Sequence, residues 1–142
     1  MFSKFFKKKV SETSNKSILI AALLIHAAKI DENYTEKEKK IIQKTLVDLS
    51  KLSPDESEKL VELAEKKENE SNQIVEYTRE IKKKPMEFRI KIIETIWKIV
   101  YSDGTSDSYE SNLIRRICGL LYISDKDSGS IKIKLQNLLE KK

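Results

Sequence analysis

The chain has 142 residues, enough to bury one substantial hydrophobic core, with only three Gly and two Pro in a composition dominated by Ile, Leu, Lys and Glu; helix is favoured, and the turn chemistry an all-β fold needs is scarce. Of the formal +5 charge, residues 1–16 supply +4, five Lys against the single Glu12. The rest is nearly balanced and lacks the broad cationic footprint of phosphate-backbone binding, so nucleic acid is not an expected partner.

Residues 1–16 form a polar, Lys/Ser-rich lead-in. On a helix, Phe2, Phe5 and Phe6 share one face and Lys4, Lys7 and Lys8 the opposite one, the pattern of a short interfacial membrane anchor. One such turn binds weakly, and the competing reading is a frayed tail or a segment whose Phe side chains dock on the folded body. Ile18 to Ile25 then open a helix, expected over 17–30, that is apolar nearly all round and belongs inside a bundle. Its apolar run is too short to cross a membrane, which takes about 20 residues.

Thr35-Glu36-Lys37-Glu38 carries the capping-box pattern and starts a helix over 36–50. Ser53-Pro54-Asp55-Glu56 repeats that logic, with Pro at the first helical position where its missing N–H costs nothing, and starts a helix over 54–70. A short helix over 73–83 leads to a second all-round apolar one over 86–102, with Phe88, Ile90, Ile92, Ile93, Ile96, Trp97, Ile99 and Val100. Asp107-Ser108-Tyr109-Glu110 opens a helix over 108–122, and Ser124-Asp125-Lys126-Asp127 opens the last, over 125–140. No segment alternates with a two-residue period, so no strand is expected. The predicted fold is all-α: a basic tail over 1–16 and one domain over 17–142, a bundle of about seven helices in two pseudo-symmetric halves with the two apolar helices at its centre.

The halves are suggested by an internal repeat. A shift of 72 positions lays Ile20 on Ile92, Leu24 on Ile96, Asp31 on Asp103, Glu38 on Glu110, Ile42 on Ile114 and Leu49 on Leu121. Each copy is an apolar helix ending at an Asp, a short polar loop, and a capped amphipathic helix with Glu in its first turn. This pattern, Asp followed seven residues later by Glu between two helices, resembles the TerB-like family of bacterial tellurite-resistance and stress-response systems, over about residues 17 to 140. The sequence departs from that pattern at Ile30-Asp31-Glu32, where the family has a small residue, Asp and Gly, and at polar Ser106.

The resemblance implies an acidic cluster of Asp31, Glu38, Asp103 and Glu110 that binds a metal. Carboxylate oxygens suit hard divalent cations such as Ca²⁺ or Mg²⁺ rather than zinc. The competing reading is plain structure: Glu38 and Glu110 stand where a capping box wants Glu, and Asp31 and Asp103 stand where Asp forms turns. An EF-hand fails, because position six of each loop is Glu36 or Ser108 instead of Gly and position twelve is Ile42 or Ile114 instead of Glu.

His26, the only histidine, lies in the apolar helix and is read as structural. Cys118, the only cysteine, excludes an intrachain disulfide, fits a reducing compartment, and falls at an apolar position equivalent to Leu46, where an inert core thiol is expected. No Gly-rich phosphate loop is present, and Trp97 and Tyr101 are read as packing. The expected function is a non-enzymatic TerB-like binding module for a protein partner, cytoplasmic and in one reading peripheral at the inner membrane; the resemblance alone implies the stress role. A metal-dependent hydrolase built on the same four carboxylates and a membrane-surface adaptor working through the tail are the rivals.

Overall fold

A computed structural model describes residues 17–29, 34–70, 73–101 and 108–140, with the backbone alone for 108–111 and 139–140. Seven helices and no strand occur among the described residues: α1 over 17–28, α2 (Glu36–Ser50), α3 (Pro54–Glu70), α4 (Ile74–Ile81), α5 (Met86–Val100), α6 (Ser108–Leu120) and α7 (Asp125–Glu140). Local chemistry sets several of these boundaries. Thr35 and Glu38 form a complete capping box on α2. Ser53 and Glu56 exchange the equivalent pair on α3, each bond 3.1 Å. The Asp127 amide donates to Ser124 Oγ at the start of α7. Each such cap supplies backbone N–H groups that have no partner within the helix.

Two helix exits turn without glycine. Lys51 after α2 and Tyr122 after α6 adopt left-handed φ of 54° and 59°. At the second, the Ile123 amide reaches back to the Cys118 carbonyl at 2.9 Å and the Tyr122 amide to that of Gly119 at 3.3 Å, the two bonds of a Schellman ending.

Side-chain bonds fix the helix directions. Ser17, at the start of α1, bonds Ser50 at the end of α2, while Lys29, just past α1, reaches Glu68 and Asn69 in the last turn of α3. Helix α1 therefore runs antiparallel to α2 and alongside α3. The second unit follows the same path: Arg89 in the first turn of α5 donates to the Leu121 carbonyl beyond α6, and Gln136 in α7 donates to the Tyr101 hydroxyl just past α5. Helix α4 joins the two three-helix units.

The core is where the apolar runs predict it. Ala21, Ala22, Leu23, Leu24 and Ile25 of α1 are fully buried, as are Ile92, Ile93 and Ile96 of α5. Helix α1 is buried on every side over residues 20–25 and so lies inside the bundle, whereas α5 keeps one polar stripe, Lys91, Glu94 and Lys98, toward solvent. Helices α2, α3, α6 and α7 turn one stripe inward, through Ile42 and Leu46, Val61 and Ala64, Ile114 and Ile117, and Ile131 and Leu135. Cys118 is also buried, and burial raises its thiol pKa, so it packs as the inert apolar residue its position predicts. Where α2 meets α5, Thr45 and Thr95 place their hydroxyls 3.3 Å apart inside this core.

Candidate functional site

The loop after α1 is fixed at both ends, chiefly from α3. On the inner stripe of α3, Ser57, Leu60, Val61, Ala64 and Glu68 recur at helical spacing and are all buried. Glu68 thus occupies a core position with a carboxylate. Its Oε2 accepts from Lys29 Nζ at 2.7 Å, and its Oε1 lies 3.3 Å from His26 Nδ1. Lys29 also donates to Asn69 Oδ1 at 2.8 Å.

On the far side of the loop, Tyr34 donates to Glu65 Oε1 at 3.3 Å. Lys39 of α2 pairs with the same oxygen at 3.0 Å, and the Glu65 carboxylate raises the lysine pKa. Next to Tyr34, Glu38 Oε1 accepts from both the amide and the hydroxyl of Thr35, at 2.8 and 3.0 Å. The last two turns of α3 therefore hold residue 29 before the loop, through Glu68 and Asn69, and residue 34 after it, through Glu65, and the α2 cap holds residue 35.

Burial, reinforced by Glu65, raises the Tyr34 pKa well above the ordinary phenol value. The unfolded chain ionises this phenol near pH 10. The folded state retains the proton longer, so its contribution to stability is complete below pH 10 and falls away as pH rises beyond it. We expect a spectrophotometric alkaline titration at 295 nm to show a late tyrosine step that coincides with unfolding, and Tyr34→Phe to lower its amplitude by one tyrosine while the fully buried Tyr77 still becomes accessible in it.

Of the four predicted acidic residues, Glu38 is buried at 5% exposure and serves the cap. Asp31, Asp103 and the Glu110 side chain lie outside the described residues, although the Glu110 backbone falls within the first turn of α6. Among the described residues no group of three His, Cys, Asp or Glu side chains is arranged to hold a metal ion. His26 is tied to Glu68, in line with its structural reading. Trp97 and Tyr101 stack on each other with ring centroids 5.7 Å apart, and Lys132 lies over the indole, which makes them packing residues of the α5–α7 contact.

Sequence reasoning did not single out Glu65, Glu68 or Lys29. The signal for Glu68 was its place on the apolar stripe, eleven residues after Ser57 and four after Ala64.

The family model described as Tellurite resistance protein TerB matches residues 17–133. The chain belongs to the TerB family. The match begins at α1, ends within α7, and spans both copies of the Asp/Glu pattern in this TerB chain. Comparison with curated proteins and with solved structures gives no match. Among the described residues, no helix of this TerB domain is long and apolar enough to cross a membrane.

Proposed function

We propose that this TerB-family chain is a non-enzymatic binding module whose acidic loops recruit a protein partner in a divalent-metal-dependent way, as part of a cytoplasmic response to metal or envelope stress. The observation that carries this reading is the anchoring of the first acidic loop: Lys29 to Glu68 on one side, Tyr34 to Glu65 and Thr35 to Glu38 on the other. A loop with both ends held loses less conformational freedom on binding, which favours a site that must place carboxylates. The matching up-down-up paths of the two units support a pseudo-twofold arrangement in which Asp31 and Glu38 face Asp103 and Glu110. In that arrangement the four carboxylates would hold a hard cation such as Ca²⁺ or Mg²⁺, which would offset their mutual repulsion and offer open coordination positions to a partner carboxylate or carbonyl.

The test is a calorimetric titration of chelator-treated protein with Ca²⁺, Mg²⁺, Mn²⁺ and Zn²⁺, repeated on the Asp31→Asn/Asp103→Asn double variant. Saturable binding of Ca²⁺ or Mg²⁺ that falls in the variant by more than the roughly tenfold that loss of even an outer-shell partner costs is the expected result. Absence of heat in the unaltered protein would reduce the four residues to caps and turn formers.

A further inference from the structure

Against the start of α1 lies an open groove of about 460 Å³, walled by Ile18 and Leu19 on one side and by Leu63, Lys66, Lys67 and Glu70 of α3 on the other. Leu63 is 51% exposed, although its neighbours Leu60, Val61 and Ala64 are buried, so an apolar side chain stands in water beside two half-covered ones. The groove opens where residue 17 leaves the bundle. Residues 1–16, outside the described part of the chain, thus begin at its wall, and they contain Phe2, Phe5 and Phe6 among five lysines.

We propose that the groove is the docking site of the chain's own N-terminal segment, with Phe5 and Phe6 seated against Leu63, Ile18 and Leu19. Reach sets no obstacle: Ser17 is eleven positions after Phe6, a span of up to about 36 Å when extended, and the groove begins within one turn of Ser17. Tethering at this length gives a local concentration of about millimolar, well above that of any free competitor at ordinary protein levels. Charge is balanced at the groove: Lys66 and Glu70 stand one helical turn apart on its wall, and Lys67 is paired with Glu76 at 3.0 Å, so the apolar contact with the phenylalanines sets the fit and Glu70 is left to meet a lysine of the tail.

A nitroxide on Ser3→Cys tests this in the full chain; Cys118 is buried and stays unlabelled in the native protein. With methyl-labelled Ile and Leu, we expect several-fold enhanced relaxation at Ile18, Leu19 and Leu63 and none at Ile133, an exposed methyl of α7. The effect is unchanged on tenfold dilution, and Phe5→Ala/Phe6→Ala and Leu63→Asp each abolish it; Leu63 is half exposed, so its replacement leaves the core intact. Weak broadening spread evenly over the surface would overturn the proposal. So would broadening that appears only between labelled and unlabelled molecules, which would identify a second copy as the occupant, or a tail that engages only phosphatidylglycerol vesicles.

Discussion

Replacing Leu24 with Ala lowers the unfolding free energy by about 3–5 kcal/mol, the range for a buried leucine whose cavity cannot collapse. Leu24 is completely buried in a helix with buried residues on every side, so no mobile surface segment is available to fill the void. A domain of this size has only about 5–15 kcal/mol in total, and the variant sits near the threshold of folding. Urea denaturation checks this through a lowered midpoint at unchanged m-value. Ile96→Ala, its counterpart in α5, behaves alike. Leu138→Ala, at a site 54% exposed, changes stability by no more than about 0.5 kcal/mol.

The second large effect is electrostatic. Glu68→Ala removes the carboxylate shared by Lys29 and His26 and costs about 2–3 kcal/mol, below the figure for a fully enclosed pair because the Lys29 side chain is 35% exposed and can rehydrate. Glu68→Gln recovers part of that loss by keeping a hydrogen-bond acceptor. Lys29→Ala combined with Glu68→Ala costs clearly less than the two single changes added, since neither partner is then stranded. Amide exchange at Lys29 and Tyr34 speeds up in Glu68→Ala while that of Ile42 follows the global stability, which separates loosening of the loop from weakening of the fold.

The helices were legible because their signals are local. Thr35 with Glu38, and Ser53 with Glu56, cap α2 and α3 through bonds spanning three residues; the all-round apolar run at Leu24 has no stable place except the interior, and the broad apolar face around Ile96 is buried while Lys91, Glu94 and Lys98 keep one stripe of α5 toward solvent. Boundaries slipped where nothing local marks them: α4 was expected over 73–83 and runs Ile74–Ile81, with Gln73 making no side-chain cap. The polar bonds that hold the bundle were not legible, because their partners are far apart in sequence. Lys29 and Glu68 are 39 residues apart, Arg89 and Leu121 are 32 apart, and no spacing rule pairs them. Of the acidic site, the sequence marked Glu38 and its capping role together; what stabilises the loop beyond it became visible only when α3 was placed alongside α1.

Thr45 and Thr95 give the meeting of the two units a unique setting. Thr95 donates its proton to the Lys91 carbonyl at 2.9 Å, so in their mutual contact Thr45 is the donor and Thr95 the acceptor. Oily surfaces alone would let α2 slip along α5 by one turn at little cost. Such a slip breaks the bond between the two hydroxyls and turns Thr45 back onto a carbonyl of its own helix, a loss of about 0.5–1.5 kcal/mol that falls on misaligned pairings and spares the correct one. One hydroxyl thereby acts as a detent, a stop that selects a single position along an otherwise smooth track.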